Sequence, residues 1–219
     1  MLQIERGVTA VIGGGGKSTL LRSLAEELSA QGRVIVATST KMFVPEWCPV
    51  LLDAELDDVE AALEEHAVVC VGAIHEPTGK LDAPNLSFAD LAKRADWVLV
   101  EADGAKMLPL KAHAQHEPVI PACANRVVCV VGIDGVGQPV SQACHRAERF
   151  AELAGATPDD AVTPDMVAAV LEAERLHDVI LINKVDAAKD WQAAERIASL
   201  SSVPVVAGSL WRNEFRCLR

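Results

Sequence analysis

Seven short apolar runs recur along the chain: VTAVIG (8–13), RVIVAT (33–38), AVVCVGAI (67–74), DWVLVEA (96–102), RVVCVVGI (126–133), DVILIN (178–183) and VPVVAG (203–208). They are rich in β-branched residues and do not alternate apolar with polar positions. Strands of that kind are covered on both faces, as in a parallel sheet. Segments of helical period lie between several of them. In STLLRSLAEELSAQG (18–32), Leu20, Leu21, Leu24, Ala25 and Leu28 form one stripe, and Gly32 is placed to cap its end. LDDVEAALEEH (56–66), RAERFAELAGA (146–156), TPDMVAAVLEAERL (163–176) and DWQAAERIASL (190–200) have the same period. TPDM (163–166) and TPDD (157–160) both look like helix starts, with Thr as N-cap and Pro in the first turn.

This alternation predicts an α/β fold with a doubly wound, mostly parallel sheet and right-handed crossovers. HEPTGKL (75–81) is expected to be a turn that closes a hairpin or edge strand. The least regular stretch, 103–125, carries three prolines and is expected to be a loop over a sheet edge. Loops of that length are uncommon unless functional or disordered.

Half of the 219 residues are apolar, with no low-complexity tract or tandem repeat, so a single domain over 1–219 is expected. A formal charge of −11 argues against nucleic-acid or anionic-membrane partners, which need broad basic faces. A local phosphate site stays open, because a helix N-terminus and one lysine can supply its field. No apolar stretch reaches the roughly twenty residues of a spanning helix and MLQIERGVTA has no signal-peptide layout, so a cytoplasmic protein is expected. The six cysteines form no Cys-x-x-Cys pair, and Cys70 and Cys129 fall within apolar runs, where a thiol serves as a small core side chain.

In an open α/β sheet, ligands sit at the carboxyl ends of the strands, so the residues that follow each run carry the chemistry. The first run ends in Gly13, Gly14, Gly15, Gly16, Lys17, Ser18 and Thr19. Glycines let the backbone approach phosphate and aim successive N–H groups inward, Lys17 adds a mobile charge, and Ser18 offers Mg²⁺ a hydroxyl. A plain strand–helix turn would carry the entropic cost of four glycines for no gain. The usual Gly-x-x-x-x-Gly-Lys-Ser spacing would need glycine at position 11, where Val11 stands. The compact spacing resembles the loops of Mur-type ligases and does not name the base. After the second run, Thr38, Ser39, Thr40 and Lys41 place hydroxyls and a charge where switch loops meet magnesium; a polar strand end reads equally well.

After the fourth run come Glu101, Asp103 and Gly104, the layout of a Walker B acid followed by a nucleotide-sensing glycine. One of these carboxylates is expected to hold Mg²⁺ or orient the attacking water. Read as Glu-x-x-Gly, the segment resembles the third motif of GTPases that mature metalloenzymes. The sixth run ends in Asn183, Lys184 and Asp186, matching Asn-Lys-x-Asp. There an aspartate accepts from guanine N1 and the exocyclic amine while Asn and Lys brace the loops, which favours guanine over adenine. VAGSLW (206–211) stands where a base-flanking loop would follow. His113 and His116 beside Glu117 could bind a metal or a substrate. His145 and Arg146 read as a surface pair, although an Arg beside a His suits an anionic ligand.

GGGGKST, TSTKM, VEADGAKMLPLKAHAQHEPVIP, CHRAERFAEL and LINKVD together resemble the YqeC-type accessory proteins linked to selenium-dependent molybdenum hydroxylases. The resemblance implies a nucleotide-binding protein that assists maturation of a selenium-containing molybdenum cofactor or its hydroxylase. It also implies that Lys106, Lys111, His116 and Glu117 face the site, whereas His113 stands where the family pattern has proline.

The expectation is therefore a P-loop NTPase-like protein that uses Mg²⁺ and GTP, or ATP, with slow intrinsic turnover. Lys17, Glu101 and Asp103 would be catalytic, and Ser18, Thr40 and Glu101 or Asp103 would hold the metal. Gly13 to Thr19 with Asn183, Lys184 and Asp186 would bind nucleotide. Molybdenum hydroxylase or cofactor-maturation proteins would be its partners. Two rivals remain: an ATP-dependent ligase or kinase that holds a small substrate near Lys106, Lys111 and His116, and a non-catalytic cofactor carrier.

Overall fold

In the computed structural model, which describes residues 2–219, each of the seven apolar runs forms a strand. The chain opens with β1 (Gly7–Gly13), α1 (Lys17–Leu28), β2 (Val34–Thr38), β3 (Lys41–Met42), β4 (Val50–Leu52) and α2 (Leu56–Glu65). There follow β5 (Val68–His75), β6 (Lys80–Asp82), α3 (Phe88–Leu91), β7 (Trp97–Glu101), β8 (Leu110–Lys111) and β9 (Ala124–Gly132). The remainder is α4 (Val140–Ala143), β10 (Cys144–His145), α5 (Ala147–Ala154), α6 (Pro164–Glu174), β11 (Val179–Asn183), α7 (Ala188–Leu200), β12 (Val205–Ser209) and β13 (Glu214–Cys217).

The main sheet runs β13-β12-β11-β9-β1-β7-β2-β5-β6-β3, with β4 beside β5. The strands from β12 through β5 are parallel, and the antiparallel β13, β6 and β3 lie toward its ends. This is the doubly wound, mostly parallel sheet that the runs predict, and 75–81 does turn β5 back into β6.

Both faces are covered, which is why the runs do not alternate. Val11, Val36, Leu99, Val130 and Leu181 meet the α1 stripe of Leu20, Leu21, Leu24 and Leu28. On the opposite face, Val8, Ile35, Val69 and Val98 pack with Val59 and Leu63 of α2. Ala10, Ile12, Cys129, Val131, Ile180 and Ile182 pack there with Phe150 of α5, Val167 and Leu171 of α6 and Ile197 of α7.

Three local expectations are corrected. Helix α1 ends at Leu28 with Ser29 as its cap, so Gly32 is not a C-cap; a side chain at Gly32 would strike Asp96, whose carboxylate accepts from Arg33 N. TPDD starts no helix: Thr157 N–H and Oγ donate to Asp160 Oδ2 and close a turn. TPDM does start one, with Thr163 accepting from Met166 N and Pro164 in the first turn. Segment 103–125 does not run over a sheet edge. Leu110 and Ala112 pack on the sheet face beside Ala10 and Ile12, and β8 pairs with β10. Extended chain thus fills a place in the β7-to-β9 connection where a crossover helix would ordinarily lie.

Among the described residues no helix is long and apolar enough to cross a membrane. Phe150, 1% exposed, is the largest fully buried side chain and joins α5 to the sheet. Phe150→Ala is expected to lower unfolding free energy by about 3–5 kcal/mol, read as a fall in the urea midpoint at unchanged m-value.

Candidate functional site

Parallel pairing brings the strand ends to one edge. Val11 and Thr38 lie in register with Glu101, Gly13 with Val130, and Asn183 with Gly132. The four sequence motifs therefore converge on the carboxyl edge, on either side of β1.

The compact loop has a simple local cause. Val11 is still strand, buried and paired in β1, and the chain leaves the sheet only after Gly13 to enter α1 at Lys17. The turn of Gly14 to Gly16 is so tight that side chains are excluded. Gly15 (φ 81°) rests on Gly132 backbone and Gly16 (φ 135°) on the Asn183 amide. Not every N–H points to an open pocket, however. Gly13 N donates to Asp103 Oδ2 at 2.9 Å, Gly14 N to Val130 O at 2.9 Å and Gly15 N to Leu108 O at 3.1 Å. Among the described residues the N–H groups of Gly16, Lys17, Ser18 and Thr19 make no such bond, so the N–H groups free to meet an anion are those at the start of α1.

Ser18 Oγ donates to Glu101 Oε2 at 3.0 Å. Thr38 Oγ1 donates to Glu101 O at 2.8 Å, which sets Thr40 beside the same corner. Burial pushes the Glu101 carboxyl above its ordinary range, and the Lys17 charge and Ser18 hydrogen bond offset this only in part. The Thr40 hydroxyl is buried without a partner. An under-compensated carboxylate, a serine and an orphaned hydroxyl are oxygen donors suited to a hard cation completed by phosphate oxygens and water. Mg²⁺ fits this corner. Among the described residues no cluster of three or more His, Cys, Asp or Glu side chains forms a metal site by itself.

Asp103 is surrounded by the chain's own cations. It is fully buried, with Lys17 against Oδ1 but no hydrogen bond to that oxygen, while Oδ2 is hydrogen-bonded. Lys17 Nζ lies 2.9 Å from Oδ1, while Oδ2 takes Gly13 N at 2.9 Å and His113 Nε2 at 2.7 Å, with Lys111 Nζ at 3.3 Å. Burial alone pushes the Asp103 carboxyl up, but the His113 hydrogen bond and the Lys17 and Lys111 charges outweigh it and hold the group well below the usual range. Lys17 also donates to Gly13 O at 2.7 Å, so it is drawn back from the mouth of the loop.

His113 is the residue that sequence reading misjudged. Its backbone N and Nδ1 reach Glu174 of α6 at 2.6 and 2.7 Å, and its Nε2 reaches Asp103. Burial disfavours its charge, yet the bonds to Asp103 and Glu174 prevail and raise its pKa above 6.5. No local sequence signal could find Glu174, which lies 61 residues away.

Lys111 is buried rather than open to substrate and donates to Gly104 O at 2.5 Å and Glu117 at 2.8 Å. Glu117 also meets Arg146 at 3.1 Å. Burial raises its pKa, but hydrogen bonds from Arg146 and Lys111 lower it to about 2. Arg146, at φ 65°, holds a strained left-handed conformation where α5 begins. His116 is exposed and 3.4 Å from Arg146, whereas His113 is buried between Asp103 and Glu174. His145 in β10 lies beside Lys111, and Lys106 is exposed with φ 49°. A cleft of about 730 Å³ opens on the helix side of this cluster, lined by His113, Glu117, Arg146 and Glu174.

Asn183 Nδ2 donates to Gly15 O at 2.9 Å, and its Oδ1 accepts from Leu210 N at 3.0 Å, tying the phosphate loop to the turn after β12. Lys184 Nζ pairs with Asp134 at 2.8 Å and Asp186 Oδ1 with Arg212 at 3.2 Å; both pairs are exposed. The carboxyl edge of the sheet thus holds a glycine loop leading into α1, tied through Asn183 to the turn after β12.

The family described as YqeC protein matches residues 9–148. The chain belongs to the YqeC family. It is 37% identical over 171 residues to "Uncharacterized protein YqeC" of Escherichia coli (strain K12), covering 74% of this chain and 67% of that relative. Among solved structures, the signal recognition particle 54 kDa protein from Aeropyrum pernix K1 in complex with GDP aligns with 98% of this chain at 13% identity and a TM-score of 0.45. The alignment spans 44% of that protein's chain, a likeness too loose to carry a functional conclusion.

A charge cluster this buried makes stability pH-dependent. His113, whose pKa folding raises, adds stability that is complete below 6.5 and is lost as pH rises through the raised value. The stability difference between the parent and His113→Gln is thus expected to be largest below pH 6.5 and to shrink above it, in urea melts across pH. Lys111→Met, which leaves Asp103 and Glu117 short of a buried cation, is expected to cost about 3–5 kcal/mol, read in the same melts.

Proposed function

We propose that this YqeC-family chain is a cytoplasmic, Mg²⁺-dependent nucleoside triphosphate-binding accessory protein that prefers GTP. The observation that carries the reading is Asn183, bonded on one side to phosphate-loop Gly15 and on the other to Leu210. That bridge joins a phosphate-binding element to an Asn-Lys-x-Asp element, and it gives the second motif a reason to stand at this edge.

In this reading the first-turn N–H groups of α1 hold the phosphates, and Lys17 leaves Asp103 to neutralise their charge. Ser18, Glu101 and Thr40 would hold Mg²⁺, whose contribution is charge neutralisation between phosphate oxygens. Asp186 accepts from the guanine edge. Asp103 holds Lys17 back until phosphate draws it away, and it accepts from Gly13 N in the loop. No free carboxylate is left beside it to position water, which agrees with slow intrinsic hydrolysis and with dependence on a partner for faster turnover. The partner proposed, on family resemblance, is a protein that matures a selenium-dependent molybdenum hydroxylase or its cofactor.

Competition of GTP against ATP, with and without Mg²⁺, tests the reading. GTP is expected to win, and Asp186→Asn to weaken it by about 10- to 100-fold through loss of charged hydrogen bonds. Glu101→Gln should remove most of the benefit of Mg²⁺. A preference for ATP, or indifference to position 186, would move the chain to the ligase or kinase reading.

A further inference from the structure

β12 and β13 are joined by the four-residue turn Leu210 to Asn213, the last with φ 55°. Its ends are fixed to the nucleotide edge. Leu210 N donates to Asn183 Oδ1 at 3.0 Å, and a Leu210 methyl group stands 3.8 Å from where a Gly16 side chain would begin. Arg212 Nε lies 3.2 Å from Asp186 Oδ1. Between these anchors Trp211 projects into solvent, 94% exposed.

No other tryptophan is placed this way. Trp97 is buried, Trp47 is partly buried, and Trp191 is half-covered with the Arg216 guanidinium 4.3 Å above its ring. An indole this open leaves its ring face free to stack on a planar ligand. Held between the phosphate loop and the Asn-Lys-x-Asp carboxylate, it offers a flat face where a base attached to loop-bound phosphates would lie. Aromatic side chains stack on bases of any kind, because every base has a π-face.

We propose that the 210–213 turn is the base seat of the nucleotide site. Trp211 stacks on the purine, and Arg212 is a latch that occupies Asp186 until a guanine edge displaces it. This rests on the nucleotide reading above and adds the residues that receive the base. Guanine presents N1–H and an exocyclic amine, two donors that replace the guanidinium on the carboxylate. Adenine has no N1–H and carries its amine at C6, where guanine has an oxygen, so it lacks the paired donors that displace Arg212. The latch therefore lowers GTP affinity by the worth of its exposed ion pair and leaves adenine nucleotides, which do not displace it, unaffected.

Equilibrium dialysis of GTP, ATP and inorganic tripolyphosphate against the parent, Trp211→Ala, Trp211→Phe and Arg212→Ala tests this. Trp211→Ala should weaken GTP by about tenfold or more, the range of base–aromatic stacking. Trp211→Phe should stay within about threefold, and both variants should bind base-free tripolyphosphate as the parent does. Arg212→Ala should tighten GTP by about two- to fivefold, the worth of an exposed pair, and leave ATP unchanged. The fluorescence lost between parent and Trp211→Phe should be quenched by GTP and not by tripolyphosphate. Unchanged GTP binding in Trp211→Ala, or an equal loss of tripolyphosphate, overturns the base seat while leaving the nucleotide reading intact. A parent that binds none of the three ligands overturns the nucleotide reading itself.

Discussion

The fully buried carboxylate of Asp103 organises the site. It takes one backbone N–H and three cationic side chains from separate parts of the chain: Lys17 at the start of α1, and Lys111 and His113 from the segment packed on the sheet face. A lone carboxylate at this depth would be prohibitively costly; with these partners it is strongly held as the anion. Its neighbours are then constrained in turn. His113 is fixed against Glu174, Lys111 against Glu117, and Glu117 against Arg146, so the ion network runs from the phosphate loop to the α5–α6 cleft.

This arrangement explains why the connection from β7 to β9 is not helical. A helix over β1 would present its side chains at 3.6-residue spacing and satisfy its backbone internally. Extended chain instead places Lys111 and His113, two residues apart, on the same side toward Asp103, while Leu110 and Ala112 fill the apolar layer. Its backbone also serves the phosphate loop, since Leu108 O accepts from Gly15 N and Pro109 O from Gly132 N. The segment is therefore a structural part of the loop as well as its electrostatic support.

Most of the sheet could be read from the chain, because a strand covered on both faces writes an uninterrupted apolar run, as in VILIN (179–183). The short strands β3, β8 and β10 could not, since two residues carry no period and their pairing is decided by tertiary contacts. That Ser18, Glu101 and Asn183 stand at the carboxyl edge of the sheet was legible, because their positions follow from strand ends. The role of Asp103 was not. Its spacing from Glu101 reads equally as metal ligand or as anion for lysine, and only the burial of Lys17 and Lys111 beside it separates the two. His113 was hidden for the same reason: its partners lie 10 and 61 residues away, and a histidine in a proline-rich stretch gives no sign that it faces inward.

The retention of Lys17 by Asp103 is tested most directly by the Mg²⁺ dependence of GTP affinity in Asp103→Asn, with circular dichroism to establish that the variant is folded. If Asp103 holds Lys17 back, GTP affinity stays at the parent level or rises, and its dependence on Mg²⁺ is unchanged. A loss of affinity confined to solutions containing Mg²⁺ would make Asp103 a metal ligand after all and contradict the retention of Lys17.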